Sequence, residues 1–245
     1  MKKNLKDNKI NQPIYKKTWF WILIILALFV LIGGAYGIGK NSNNSNNSNK
    51  AKTEQKSKNK TYDKTNDTNE EKIYTSERGD QISMDNLAIL QAYYKIKLGD
   101  LMKSGQGGTS YKKVKKIFNS SPSETSSSET SGVKTELAIW RYEDVTITVT
   151  FVNNHAVGSA ETRLRWKRAK PTFTKKTYNK LSGNLNSDKV YKKFGIPDEV
   201  TQILIFGSYK TKFTWFTGLK GNLGSNVSLD FTGDSLTGKS QYGLK

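Results

Sequence analysis

The sequence predicts an α+β fold: one N-terminal transmembrane helix, a disordered polar stalk, and two tandem modules, each a helix-turn-helix followed by an antiparallel four-stranded sheet. Three observations carry this: an uncharged apolar run of twenty residues, a polar stretch of about forty residues, and an internal duplication beyond it. They divide the chain into a basic tail (1–18), a membrane helix (19–38), a stalk (39–82), a first module (83–168) and a second (169–245).

Trp19 to Ile38 (WFWILIILALFVLIGGAYGI) carries no charge. About 20 apolar residues at about 1.5 Å each cross a hydrocarbon core of about 30 Å. Trp19, Trp21 and Tyr36 stand near its ends, where amphipathic rings favour the interface. Six lysines precede it (Lys2, Lys3, Lys6, Lys9, Lys16, Lys17) against Lys40, Lys50 and Lys52 shortly after. That bias predicts a single pass, N-terminus cytoplasmic and C-terminal part outside the cell. The run exceeds the apolar core of a cleaved leader and Gly33-Gly34-Ala35 is a poor cleavage site, so an uncleaved signal anchor is expected.

The stalk is Asn, Ser, Lys, Thr and acids, with Tyr62, Ile73 and Tyr74 its only large apolar residues before Ile82. Nothing there offsets the entropy of ordering, and a coil of this length reaches about 35 Å.

In the duplication, ITVTFVNNHAVGSAETRL (Ile147–Leu164) is answered eighty residues later by VSLDFTGDSLTGKSQYGL (Val227–Leu244), with Phe151/Phe231, Gly158/Gly238 and Leu164/Leu244 in register. Upstream, Tyr111–Phe118 leading to Pro122 parallels Asp188–Phe194 leading to Pro197. Each copy reads as a short helix (Met84 to Lys97; Lys175 to Leu181), a second helix (Ser110–Phe118; Ser187–Phe194) with apolar residues at i, i+3 and i+4, then three or four strands. Asn119 and Gly195 are expected as left-handed C-caps, and Asn153-Asn154 and Gly233-Asp234 as tight hairpins. Ser120 to Gly132 reads as a polar loop inserted in the first copy.

Forty Lys and Arg against 21 Asp and Glu give a charge of +19, of which +12 falls between Ser83 and Lys245. Such a field favours anionic partners. The absence of cysteine excludes disulfides, thiolate metal sites and a thiol nucleophile. The Lys/Asn/Ser-rich composition suits a low-GC Gram-positive bacterium.

Runs KIKLGD (Lys95–Asp100) and GGTSYKKVKKIF (Gly107–Phe118), with Pro122, Trp140 and TVTFVNNHAVG (Thr148–Gly158), resemble the β-lactamase-inhibitory-protein-like modules of lactic-acid bacterial surface proteins. The second copy, ending in VSLDFTGDSLTGKSQYGLK, resembles the same module, and the resemblance covers about Asn86 to Lys245. A Gly-Thr pattern followed by Val and Pro is also shared with small lipoproteins of outer-membrane assembly. The resemblance implies two helix-on-sheet modules whose sheets form a concave surface that grips a partner protein. Two departures stand out: the inhibitor's disulfides cannot form here, and the second copy has Asn184-Leu185-Asn186-Ser187 where the first has Gly108-Thr109-Ser110-Tyr111.

No catalytic constellation emerges, so no enzyme, metal or cofactor is expected. His155 is the single histidine and sits at a hairpin; Asp198-Glu199 and Glu143-Asp144 are adjacent acids with no partner across a cleft. Gly105, Gly107 and Gly108 lack the Lys-Ser/Thr of a phosphate loop and read as a loop before a helix capped by Thr109 or Ser110.

The candidate binding surface is aromatic and basic. In ELAIWRYED, Trp140 and Tyr142 alternate with Leu137 and Ile139; in YKTKFTWFT, Tyr209, Phe213 and Trp215 share a face opposite Phe216. An open sheet face bearing Trp140, Tyr142, Tyr209 and Trp215, flanked by Arg141, Arg163, Arg165 and Trp166, has the composition of a protein-binding hot spot. The same indoles Trp140 and Trp215 would equally fill a core beneath the helices. The expected partner is an extracellular or envelope protein. The alternative is an anionic wall polymer such as teichoic acid, since an exterior location disfavours nucleic acid.

Overall fold

The computed structural model describes residues 72–130, 132–183 and 185–245. The segments expected as basic tail, membrane helix and most of the stalk lie outside these residues. Among the described residues no helix is long and apolar enough to cross a membrane.

The stalk ends earlier than expected. Strands β1 (Ile73–Thr75) and β2 (Gln81–Ser83) form a ribbon, and between them Arg78 donates to Lys170 O and Lys193 O while Asp80 accepts from Ala169 N. Helix α1 (Met84–Tyr93) starts at Ser83, whose hydroxyl accepts from Asn86 N at 3.2 Å, and ends short of the expected Lys97. Helix α2 (Tyr111–Phe118) is capped by Ser110 and closes on Asn119 at φ 49°, as its sequence requires. Between them a 3₁₀ turn (Leu101–Lys103) docks on the sheet, and a Cβ on Gly108 would collide with the Ala156 carbonyl.

Strands β3 (Glu124–Thr130), β4 (Val133–Arg141), β5 (Thr146–Val152) and β6 (His155–Thr162) follow. Then come helices α3 (Lys175–Asn179) and α4 (Ser187–Phe194) and strands β7 (Glu199–Ile205), β8 (Ser208–Trp215), β9 (Gly221–Thr232) and β10 (Ser235–Leu244). Two helices followed by four strands thus recur in order. The expected insert loop is instead β3: its serines and threonines have no apolar alternation, yet all seven residues pair with β4 through the backbone. Asn153 and Asn154 both have positive φ, whereas in the second hairpin only Gly233 does.

The strands form one antiparallel eight-stranded meander, β3 through β10, rather than two separate sheets. The join is β6 to β7, pairing Gly158 with Ile203 through Glu161 with Val200. Register puts Trp140, Ile147, Glu161, Val200, Phe213 and Leu229 in one row on the helix-covered face. Val114, Phe118, Val190 and Phe194 pack onto that face to complete the core.

Candidate functional site: the open face and its groove

The opposite face carries Ile139, Thr148, Ala160, Thr201, Lys212 and Asp230 in register, and the helices do not cover it. The chain itself seals one spot, where Leu101 packs against Ala160 and Ile203. Asp100 fixes that turn: Oδ1 accepts from Met102 N at 2.9 Å and Oδ2 from Gly207 N, in the β7–β8 hairpin, at 2.8 Å.

Over β7–β9 the open face deepens into a groove of about 850 Å³ lined by Glu199, Ile203, Lys210, Lys212, Phe216 and Leu223, among others. The β8–β9 connection, Phe216 to Lys220, and the start of β9 form its wall. Asp198, fully buried, holds that wall in place. Its Oδ2 accepts from Phe216 N at 2.8 Å and Thr217 N at 2.9 Å, and its Oδ1 from Thr217 Oγ1 and Arg168 Nη2, both at 2.7 Å. Arg168 Nη1 also reaches Asp80 Oδ2 at 3.4 Å, and Arg78 Nε reaches the same oxygen at 3.0 Å, so the N-terminal ribbon is tied into this cluster. Gly195, at φ 83°, passes close by; a side chain there would come within 2.6 Å of Asp80 Oδ2.

Two carboxyls near the join are perturbed. Burial, with Asp198 beside it, pushes Glu199 up to about 7, against the pull of Arg163. Glu161 is fully buried with neither carboxylate oxygen hydrogen-bonded, and burial followed by the charges of Glu199 and Asp198 holds it well above the carboxylate range.

The expected aromatic surface is corrected. Trp140 and Trp215 are fully buried under the helices, because register places them on the same face as Ile147 and Phe213. Leu137 and Ile139 take the open face instead. Trp166 is buried too, with the Arg168 guanidinium 5.6 Å from its ring centre. Tyr142 is half-buried against Phe118, and Arg141 is exposed but paired with Glu124 at 2.8 Å. Arg163 and Arg165 are exposed on the link between the halves. Tyr209 is partly exposed at the far end of the sheet from Arg141, so the eight residues do not form one patch.

The exposed apolar residues are others: Phe216 and Leu223 on the groove wall and, outside its lining, Phe206 at 62% and Tyr242 at 66%. Phe206 holds φ 51° at a hairpin tip, where a bulky residue is strained. The alternation Lys210, Lys212, Thr214, Phe216 could have located the open face once Phe213 and Trp215 were assigned to the core. His155 lies in its turn, Nδ1 2.9 Å from Asn153 O, and among the described residues no cluster of His, Cys, Asp and Glu could hold a metal.

Residues 85–244 match the family described as a domain of unknown function with solved structure, DUF3862. The chain belongs to this family. Its fold resembles the crystal structure of a "putative beta-lactamase inhibitor protein" from Streptococcus mutans, at 22% identity and TM-score 0.56, over 66% of this chain and 99% of that one. No curated protein matches the sequence. At this identity the likeness is one of fold.

Proposed function

We propose that this DUF3862 protein is a non-enzymatic binding protein, anchored in the cell membrane by residues 19–38, that holds a protein partner outside the cell on its open sheet face. The groove over β7–β9 carries the reading: a concavity on the open sheet face, lined by Lys210, Lys212, polar and apolar side chains, with Phe216 and Leu223 exposed on its wall, offers apolar anchors for a protein surface. Where the partner is an enzyme, occupancy at its active site would inhibit it.

Capture of secreted and envelope proteins by the full chain tests this, with wild type compared against Phe216→Ala and Lys212→Glu. A partner retained at high salt by wild type and lost by both variants is the expected result. Equal capture by all three would remove the groove from the argument.

A second reading, binding of an anionic wall polymer, is favoured by Arg163, Arg165 and Lys167, which are all exposed on the link. Binding of that kind collapses as ionic strength rises, and the same salt series separates the two.

A further inference from the structure

The two edges of the eight-stranded sheet differ in how they meet solvent. Strand β10 is guarded. Its pairing with β9 is broken by two register shifts, and Lys239 Nζ reaches the carbonyls of Tyr178 and Leu181 at 3.2 and 3.0 Å, tying residues beside α3 to this edge. Bulges, lysines and covering segments are the usual means by which sheets block a further strand.

Strand β3 has none of these. All seven residues are exposed, their pairing with β4 runs unbroken from Glu124/Ile139 to Thr130/Val133, and the strand contains neither lysine nor proline. Among the described residues its outer backbone N–H and C=O groups have no partner, and they form a regular ladder of the kind that accepts another strand.

We propose that β3 pairs with β3 of a second copy of this chain, antiparallel about a two-fold axis at Ser127, continuing the sheet from one protomer into the next. Charge selects both the place and the register. The body of the chain between Ser83 and Lys245 carries +12, so two copies repel over most of their surfaces. At β3 the charge is locally balanced: Glu124 pairs with Arg141 at 2.8 Å and Glu129 stands opposite Lys134. Two-fold pairing about Ser127 sets Glu124 opposite Thr130 and Thr125 opposite Glu129, with Ser126 opposite Ser128. No like charges then face each other, and small hydroxyl residues form cross-strand pairs. The strand lies at the opposite edge of the sheet from the strands that form the groove, so the pairing leaves the groove free and stands independently of the function proposed above.

The chain has no cysteine, so single-cysteine variants of the full chain report on this pairing without background. Directly opposed strand residues have Cα atoms about 4.5–5.5 Å apart, within disulfide range. Under mild oxidation Ser127→Cys is expected to give a disulfide-linked dimer. Thr125→Cys, displaced from its own copy along the strand, and Ser240→Cys, on the guarded edge, are expected to remain monomeric. Ser127→Lys, which sets two ammonium groups face to face at an exposed position, is expected to shift the untreated full chain toward monomer in sedimentation. A Ser127→Cys chain that links no more than Ser240→Cys overturns the proposal, as does preferential linking through Thr125.

Discussion

Trp140 and Trp215 occupy equivalent stations: each donates its indole N–H to the backbone carbonyl just beyond the second helix of its half, Ser120 O at 3.3 Å and Gly195 O at 3.1 Å. Each is also paired with an aliphatic residue of the following strand, Trp140 with Ile147 and Trp215 with Val227. The tryptophans are 75 residues apart and their partners 80, so the chain between the paired residues, the turn and the start of β9 together, is five residues longer after Trp215 than after Trp140. Those extra residues raise the wall of the groove.

Replacing either tryptophan with alanine is expected to cost about 3–5 kcal/mol, the range for deleting a large buried aromatic. Phenylalanine at either position should cost less, since it keeps most of the packing and leaves a carbonyl unpaired. Urea denaturation of the four variants checks this. Unchanged midpoints would mean that the indoles are not core.

Asp198→Asn is expected to destabilise by about 3 kcal/mol, because it leaves the buried Arg168 with only its longer ion pair to Asp80. The same change frees Phe216 N and Thr217 N from a charged acceptor, so partner affinity should fall with stability. Asp80→Asn touches the cluster from the ribbon side and should lower stability without loosening the groove wall. Paired unfolding and binding measurements distinguish the two.

Sequence alone reached the helices and strands whose patterns are strong. Val114 and Phe118 repeat at helical spacing, and Ile147, Val149 and Phe151 alternate with threonines; all are buried as that spacing demands. Strand β3 escaped because the backbone ladder holds it and no side-chain pattern marks it. The aromatic surface was misread at Trp140, since alternation separates two faces but does not say which one the helices take. The Asp80–Arg168–Asp198 cluster joins positions 88 and 30 residues apart and has no local signature.

Glu161 sets a pH dependence with a definite sign. Its folded-state pKa lies above the ordinary value of 4.5, so the folded chain binds the extra proton. Its stability contribution is therefore full below that value and is lost as pH rises toward the folded pKa. Glu199 acts in the same direction, its share ending near pH 7. Glu161→Gln removes the ionisation, and its advantage over wild type should grow with pH, to at most about 3 kcal/mol at neutrality. Urea midpoints of both proteins between about pH 5 and 8 measure the difference. A constant offset across that window would mean that folded Glu161 is ionised there and that burial does not raise it.

Leu223 separates binding from folding most cleanly. Its side chain is fully exposed on the groove wall, so Leu223→Asp should shift stability by no more than about 0.5 kcal/mol, as surface substitutions do. An apolar residue left in water on the groove wall gains from contact only when a partner covers it. The aspartate would remove that gain and set a charge where the partner closes. Affinity for the captured protein is then expected to fall at least about tenfold, the lower range for an interface anchor, with the thermal midpoint unchanged. Phe206→Gly should behave alike if the partner reaches the hairpin tip, and should raise stability slightly if relief of the φ 51° conformation is its only effect. Calorimetry on the two variants, alone and with the partner, reads both quantities in one experiment.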